Sequence, residues 1–351
     1  MERFNVNNYL FYSGKGNRPL GEQVLKILGE YLGTPLRFEY IDFGVWRDGC
    51  PNDKIPNYNN LESKHVIFFD SLFQKVAMLD FLQLAMAFRK QYGAKKLLAV
   101  IPFLLPRRCD HEEAEYQFEI NYLSHYLEMM AFCGVTNMIV CTPHSEAIKR
   151  NCERLGIEFM PANMDFSRAI KTIVPGAEEI SIYSPDEGSI PRAIAHAKNI
   201  SNSQVIFDLK KRHKNNRAEI VSDNKLAQEI ISKYSQELDY QSITYADSQD
   251  ITGMNIVIIE DEMSSGETAN KTAKKLRSLG AKSIYFAFTN PVCVNGWKYT
   301  LFDQSPFTRI LAGDTIPRDE SNRTGGKIID VSVAEVLAMT IYRMLMEMEK
   351  S

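Results

Sequence analysis

Short apolar segments alternate with helix-length amphipathic segments along almost the whole of this 351-residue chain. The apolar segments are rich in β-branched residues, as buried parallel strands are, and they fall at residues 8–13, 66–70, 97–102, 138–142, 180–183, 205–208, 256–259 and 283–288. The helix candidates between and after them lie at residues 19–32, 74–92, 116–134, 145–155, 190–200, 223–235, 268–279 and 332–348. This alternation predicts the α/β class, with mostly parallel sheets flanked by helices.

The predicted strands fall into two sets, and a chain of this length suits two domains better than one. One set ends before about residue 160 and the other begins after about residue 178, with a linker-like composition from Met160 to Asp165 between them. We therefore expect two similar α/β domains, residues 1–160 and 161–351. The last helix is a candidate to pack back on the first domain.

Bulk properties exclude several classes of partner. A net charge of −3 offers no broad basic field for nucleic acid. No apolar run approaches the roughly 20 residues that span a bilayer, and the first residues lack the apolar core of a signal peptide. The six cysteines include no CxxC pair, which favours reduced thiols over structural zinc. We expect a cytoplasmic protein with no membrane or nucleic-acid partner.

The richest segment for function is residues 255–268. A buried-strand pattern runs directly into Glu260 and Asp261, a Ser264-Ser265-Gly266 turn follows, and a helical pattern begins near Thr268. In open α/β sheets ligands bind beyond the carboxyl ends of strands, and a turn before a helix can direct N–H groups at a phosphate. Solvated acids before a capped helix would explain one hydroxyl, but not this whole combination. The pattern resembles the ribose-phosphate motif of type I phosphoribosyltransferase-fold proteins.

Three further groups of residues follow strand-like runs. Asp186 lies in a Ser-Pro-Asp-Glu-Gly segment that alone would read as a good turn. A dense basic run begins at Lys210, and it would ordinarily be a solvated face. We read it as a mobile, glycine-free loop that can close over phosphates and stabilise their charge. In the first half Arg107 and Arg108 end one strand and His144 another, and each alone is more often structural than functional.

Taken in order and spacing, these motifs resemble the ribose-phosphate pyrophosphokinases over roughly residues 8–345. The resemblance implies ATP contacts from Arg107, Arg108 and His144, with His144 also a metal ligand. It makes Asp186, which precedes a matching Arg192-Ala193, a ligand of magnesium or ribose. It implies that Lys210 and Arg212 are catalytic. The match continues along the same loop at Lys214, Asn216, Ala218 and Glu219.

The resemblance also implies a reaction, namely transfer of the β,γ-diphosphate of ATP to the anomeric hydroxyl of a ribose phosphate, with release of AMP. Magnesium would bridge the phosphates. Glu260 and Asp261 would hold the ribose hydroxyls. The 5-phosphate would bind at a small set of residues in the turn: Ser264, Ser265, Gly266 and Thr268. Members of this family form dimers that assemble into hexamers, so the resemblance implies a homo-oligomer.

Three departures from the family pattern bear on substrate. The adenine-gripping loop is replaced by a longer segment at residues 43–54, and the segment after Arg107 is altered. Glu267 stands where the phosphate loop carries a small residue, and its carboxylate should disfavour a dianionic phosphate monoester. Two acceptors therefore stay open, ribose 5-phosphate and ADP-ribose, whose phosphate is already esterified. The second would link the protein to NAD metabolism.

Two other classes compete with the pyrophosphokinase interpretation. A phosphoribosyltransferase would share residues 260–268 but would need neither two α/β halves nor the basic loop. A non-catalytic regulatory homologue should have lost charged groups, whereas Lys210, Arg212, His144, Asp186 and Asp261 are all present.

Overall fold

The computed structural model describes residues 5–110, 119–175, 180–212, 218–220, 222–303, 305–318 and 324–350. The chain divides into two units that are each assembled from separated segments. The first unit consists of Met1–Met164, Asp314–Pro317 and Ser332–Ser351, and the second of Asp165–Gly313 and Arg318–Val331.

The described part of the first unit contains a sheet in which every strand pairing is parallel, in the order β2-β1-β3-β4-β5-β6. Its strands are β1 Tyr9–Ser13, β2 Glu39–Tyr40, β3 His65–Phe69, β4 Lys96–Ile101, β5 Asn137–Cys141 and β6 Glu158–Ala162. Its helices are α1 Arg18–Leu32, α2 Lys75–Met86, α3 Tyr122–Phe132, α4 Ala147–Arg154 and α9 Ala334–Met348. Strands β3 and β5 are buried along their whole length, as continuous apolar runs in a covered parallel sheet should be.

Helix α9 comes from the end of the chain and completes the first unit. Its apolar side, which includes Leu337, Ile341 and Leu345, is buried. The Tyr9 hydroxyl, on β1, donates a hydrogen bond of 2.6 Å to Glu349 just after α9. The first strand and the last helix of the described chain therefore belong to one unit.

The second unit contains a larger sheet whose pairings are likewise all parallel, in the order β11-β8-β7-β12-β13-β14-β15. Its strands are β7 Ile180–Ser184, β8 Gln204–Phe207, β11 Ile243–Tyr245, β12 Asn255–Met263, β13 Ser283–Pro291, β14 Arg309–Gly313 and β15 Ile328–Val331. Its helices are α5 Ser167–Ile173, α6 Ile190–Lys198, α7 Asn224–Glu237 and α8 Glu267–Ser278. A separate antiparallel pair, β9 Lys210–Arg212 and β10 Ala218–Ile220, forms a hairpin between β8 and α7.

Each large sheet has one point at which the strand order reverses. In the first unit this point lies between β1 and β3, and in the second between β7 and β12. Ligands of open α/β sheets bind in the crevice at such a switch point, beyond the carboxyl ends of the strands. Asp186 follows β7 and Asp261 lies near the end of β12, so both sequence motifs belong to the switch point of the second unit.

The predicted α/β class with parallel sheets is confirmed. The eight predicted strands are all present with shifted ends, but β2, β6, β9, β10, β11, β14 and β15 were missed. Most of these are short, lie at a sheet edge or carry charged residues, so the apolar-run criterion does not detect them.

Several local predictions need correction. The linker-like segment begins inside a strand, because Met160 pairs with Ile139 between β6 and β5. The predicted helix 74–92 is α-helical only as far as Met86 and continues as a π-helical turn. In the predicted helix 116–134, α3 begins at Tyr122 because the Asn121 side chain caps it, accepting a hydrogen bond from the Ser124 backbone.

The basic run is not simply a loop. Lys210–Arg212 form strand β9, in which Arg212 pairs with Ala218 of β10. The matched positions Lys214 and Asn216 lie outside the described residues.

Candidate active site

Strand β12 carries its two acids inside the strand rather than beyond it, which corrects the predicted strand end at residue 259. Its last pairing with β7 joins Ile258 to Tyr183, whereas its pairing with β13 continues to Met263. The end of β12 therefore projects past β7 along β13. Asp261 is buried at 6% exposure in this projecting part.

Arg192 links the two motifs of the second unit. Its Nη1 lies 3.6 Å from Oδ1 of Asp261, and the side chains are 20% and 8% exposed. Arg192 stands in the first turn of α6, directly after the segment that contains Asp186. Because both charges are largely withdrawn from water, this pair is screened far less than a surface ion pair. It joins the segment after β7 to the end of β12 at the switch point.

The Asp186 carboxylate holds its own turn with one oxygen. Oδ1 accepts hydrogen bonds from the Ser189 backbone N–H at 3.0 Å and from the Ser189 hydroxyl at 2.9 Å. The Ser184 hydroxyl donates to the Asp186 carbonyl at 2.8 Å, which fixes the backbone as well. Among the described residues no protein group bonds to Oδ2, so this oxygen can face a ligand while Oδ1 maintains the turn.

The turn after β12 is rigid and opens toward a helix N-terminus. Gly266 is the N-cap residue of α8 at φ 77°, and it supplies no capping side chain. A Cβ at this position would lie 2.8 Å from Cδ2 of the buried Leu301. The Val294 backbone N–H donates to the Ser264 carbonyl at 3.2 Å and holds the turn in place. In such a turn the backbone N–H groups at the start of α8 can donate hydrogen bonds to an anion.

Glu267 and Thr268 are exposed at the start of α8, whereas Ser264 and Ser265 are half-buried. The Ser265 hydroxyl accepts a weak hydrogen bond of 3.4 Å from the Glu267 N–H. A carboxylate in the first turn of a helix interacts favourably with the helix dipole. Glu267 therefore stabilises α8, and it also places negative charge beside the turn that the sequence motif assigns to a phosphate.

In the first unit the two predicted arginines differ in environment. Arg107 is 6% exposed, its guanidinium lies 4.1 Å from the centroid of the Phe103 ring, and Nη1 donates to the Leu104 carbonyl at 3.5 Å. Arg108 is exposed and lines a cavity of about 320 Å³ with Glu119, Ile120, Asn121, Tyr122 and Cys109. Of the two, Arg108 has the surroundings of a ligand contact, whereas Arg107 packs against its own segment.

His144 is half-buried after the end of β5, beyond a strained residue. Thr142 has φ 42°, which is uncommon for a β-branched residue, and its Oγ1 accepts from the Met164 N–H at 3.1 Å. Strain of this kind often accompanies functional sites. The Ser145 hydroxyl donates to Asp110, so the loops after β4 and β5, which carry Arg108 and His144, meet in the first unit. No sequence signal pointed to Thr142.

The altered segment at residues 43–54 forms a small antiparallel flap. The backbones of Asp42 and Lys54 exchange hydrogen bonds of 3.0 and 2.8 Å, and the Trp46 N–H donates to Cys50 at 2.8 Å. Trp46 is 60% exposed on this flap. The segment is therefore an ordered flap that presents an aromatic side chain to solvent.

The switch point of the first unit is filled by the chain itself. The Gly16 N–H donates to Oδ1 of the buried Asp70 at 2.7 Å. Asn17 donates to the Asp314 carbonyl at 2.7 Å, and the Ser71 hydroxyl donates to the Thr315 carbonyl at 2.5 Å. The ribose-phosphate motif therefore belongs to the second unit, whose switch point carries the acids.

The donor set of the second unit suits magnesium. Magnesium usually binds through one or two carboxylates together with waters and substrate phosphates, and it rarely needs a cage of protein ligands. Among the residues that the structure describes, no three His, Cys, Asp or Glu side chains converge on a metal position. The open Oδ2 of Asp186 fits a site of this kind, with few protein ligands.

No helix within the described ranges is long and apolar enough to cross a bilayer.

Comparison with known proteins agrees with this geometry. The model of the phosphoribosyl transferase domain family matches residues 164–301, which lie almost entirely in the second unit. The fold is similar to that in the crystal structure of phosphoribosylpyrophosphate synthetase from Mycobacterium smegmatis, with a TM-score of 0.72 and 17% identity over 97% of this chain and 99% of that chain.

Curated relatives match over nearly the full length. A ribose-phosphate pyrophosphokinase from Ralstonia nicotianae is 26% identical over 347 residues, which cover 96% of this chain and 95% of that protein. A ribose-phosphate pyrophosphokinase from Deinococcus radiodurans is 23% identical over 337 residues, or 95% of this chain and 93% of that protein. The chain is thus similar, over nearly its whole length and at the low identity of a divergent relative, to the ribose-phosphate pyrophosphokinases, which are transferases.

Proposed function

We propose that this protein transfers the β,γ-diphosphate of ATP to the anomeric hydroxyl of a ribose phosphate in a magnesium-dependent reaction. The observation that carries the proposal is the Arg192–Asp261 ion pair at 3.6 Å. It joins the Asp186 segment and the acidic end of β12 at one switch point, where a ribose phosphate and a diphosphate group can meet.

The reaction balances without a covalent enzyme intermediate. The anomeric oxygen of the acceptor attacks the β-phosphorus of ATP, the bond from that phosphorus to the bridging α,β-oxygen breaks, and AMP leaves while the anomeric hydroxyl loses its proton. Such phosphoryl-type transfers depend chiefly on positioning and charge stabilisation. Magnesium would neutralise charge on the phosphates.

Each predicted residue has a role in this proposal. Glu260 and Asp261 hold the ribose hydroxyls, and Arg192 orients Asp261. The phosphate turn, which comprises Ser264, Ser265, Gly266 and Thr268, receives the 5-phosphate at the start of α8. Lys210 and Arg212 stabilise the charge that develops during transfer, and Asp186 would be a ligand of magnesium. The first-unit residues proposed to bind ATP are Arg107, Arg108 and His144.

The direct test measures AMP release from ATP and magnesium, with ribose 5-phosphate, with ADP-ribose and without acceptor. We expect acceptor-dependent AMP and a product that carries the diphosphate. If AMP appears with neither acceptor, the proposal is wrong. Pyrophosphate consumption in the presence of a nucleobase would instead indicate a phosphoribosyltransferase, and nucleotide binding without turnover would indicate a regulatory homologue.

The charge of Glu267 bears on whether the acceptor is ribose 5-phosphate or ADP-ribose. Glu267 is exposed at the first position of α8, beside the proposed phosphate site. Its charge should repel the dianionic monoester of ribose 5-phosphate more than a diphosphate diester, whose phosphorus atoms each carry one charge. This residue favours ADP-ribose, whereas the names of the relatives favour a plain ribose phosphate.

The negative charge of Glu267 predicts a shift in acceptor preference when it is removed. Glu267→Gln removes the charge at nearly constant volume, and Glu267→Gly also removes the side chain. We expect each change to raise kcat/KM for ribose 5-phosphate relative to ADP-ribose by about tenfold. The measurement is the ratio of the two kcat/KM values from initial rates of AMP release.

Glu335 provides the matched control, because it is an acid in the first turn of another helix, α9. Glu335→Gln should leave the ratio unchanged. An unaltered ratio in both Glu267 variants would exclude the electrostatic explanation.

A homo-oligomer, either a dimer or a hexamer, and a cytoplasmic location complete the proposal. Light scattering on the purified protein would determine the mass and hence the number of subunits.

A further inference from the structure

A chain of polar contacts in the second unit joins the two ends of the β9–β10 hairpin. At the first end, Asp208 stands between β8 and Lys210 and is 1% exposed. Its carboxylate accepts hydrogen bonds from Lys275 Nζ at 2.9 and 3.1 Å, and a further one from the Tyr183 hydroxyl. A buried carboxylate with these partners fixes the backbone from which the hairpin begins.

The second end is held by the same lysine. Ser222, which follows β10, donates to Oδ2 of Asp247, and Oδ1 of Asp247 lies 3.7 Å from Lys275 Nζ. The Tyr245 hydroxyl also donates to Asp247, at 3.0 Å. We call the set Asp208, Lys275, Asp247 and Ser222 the hairpin clasp. Lys275 is its only cation, and it lies between the two carboxylates.

The environment of the clasp makes its contacts strong. The side chain of Lys275 is 26% exposed and that of Asp208 only 1%, so water screens this pair weakly. The hydrogen bond from Ser222, and after it those from Tyr245 and Lys275, lower the pKa of Asp247 against the opposing effect of burial. Asp247 is thus suited to remain charged beside the ammonium group of Lys275.

Lys275 belongs to α8, the helix whose N-terminus follows Gly266. Helix α8, which begins at the proposed phosphate site, therefore also carries the lysine that contacts Asp208 at the start of the hairpin. Lys210 and Arg212 lie on β9, two and four residues after Asp208. The direction in which β9 leaves the sheet depends on where Asp208 and Ser222 are held.

We propose that Lys275 is a positioning residue for diphosphoryl transfer. By holding both ends of the hairpin, it fixes the path of β9, the strand to which Lys210 and Arg212 belong. The inference rests on the proposed function, which assigns the charge-stabilising role to those two residues. The competing explanation is that Lys275 merely neutralises a buried carboxylate, in which case removing both charges together should have no effect on turnover.

The experiment compares four variants of the full-length protein. Lys275→Met removes the cation, Lys275→Arg keeps it, and Asp208→Asn with Lys275→Met removes both partners so that no charge is buried alone. Lys274→Met is the matched control, because Lys274 is exposed on the same helix and forms no ion pair among the described residues. The measurements are kcat and acceptor KM from AMP release, thermal unfolding, and hydrogen exchange of the amides from residue 209 to 222.

We expect the double variant to lower kcat by about tenfold or more, because small displacements of catalytic groups have effects of this size. Acceptor KM should stay within about twofold, since the phosphate turn is untouched. Amides of the hairpin should exchange faster, while those of β12 and β13 should not. Lys275→Met should behave similarly, Lys275→Arg should recover most of the rate, and Lys274→Met should match the parent protein.

Wild-type turnover or unchanged hairpin exchange in the double variant would overturn the proposal. The exchange measurement does not need enzymatic activity. If the parent protein releases no AMP with either acceptor, the proposed function fails, but comparison of exchange in the parent and the double variant still decides whether the clasp holds the hairpin.

Discussion

Gly266 occupies the left-handed backbone region at a point where a side chain has no room. Gly266→Ala should destabilise the protein by about 1–2 kcal/mol from backbone conformation alone, with a further cost from the contact with Leu301. It should also raise the KM for the acceptor, because the N–H groups at the start of α8 would shift. Thermal unfolding and acceptor titration measure the two effects.

Gly253 is the control for this prediction. It has φ 78°, close to that of Gly266, but nothing lies within 4 Å of its Cβ direction. Gly253→Ala should therefore show the backbone cost with no change in acceptor KM. Equal effects of the two substitutions on KM would mean that the turn has no role in acceptor binding.

The burial of the Asp70 carboxyl group predicts that the free energy of unfolding depends on pH. Burial raises the pKa of Asp70 to about 7, against opposing hydrogen bonds from Gly16 and Ser71. The folded state therefore keeps a proton that the unfolded chain loses near its ordinary pKa of about 3.9. Stability from this group is fully present below that value and is lost as pH rises toward 7.

Asp70→Asn should remove this loss, because an amide oxygen can still accept from Gly16. The advantage of the variant in unfolding free energy should grow between about pH 4 and 7 and reach about 4 kcal/mol above that range. Denaturant unfolding at a series of pH values measures it. Parallel curves for the two proteins would show that Asp70 does not ionise in this window.

At the scale of elements, the sequence was most informative where burial was continuous. Strands such as β3 and β5 are apolar throughout and could be predicted. Strand β2 has two residues and β9 consists of charged residues only, so neither has an apolar run. Strand β12 continues through its acids because pairing with β13 satisfies the backbone there, and side-chain polarity carries no information about that pairing.

The residues of the candidate site likewise fall into those that the sequence could identify and those that it could not. Its motif residues could be found because their order and spacing follow the chain. The contact between Arg192 and Asp261, and that between Lys275 and Asp208, join a helix to a strand end across long stretches of sequence. Such contacts depend on which strands are neighbours and on how each helix is rotated. A single sequence does not contain that information in a readable form.

At the scale of the whole molecule, the two units differ in how the chain builds them. The sheet of the second unit comes from one stretch plus the short return that supplies β15. The first unit draws on three stretches, and its core includes α9 from the end of the described chain. Its switch point is closed by the segment Asp314–Pro317. The proposed acceptor site therefore lies in the more continuous unit.

The late arrival of α9 has a consequence for synthesis on the ribosome. N-terminal domains generally fold first as a chain emerges. Here the first unit must leave the surface that receives Leu337, Ile341 and Leu345 uncovered until α9 has emerged. Most of the second unit has emerged by then and can fold ahead of it. The nascent chain therefore exposes apolar surface of the first unit until α9 has been made, and this is the period in which chaperones should bind it.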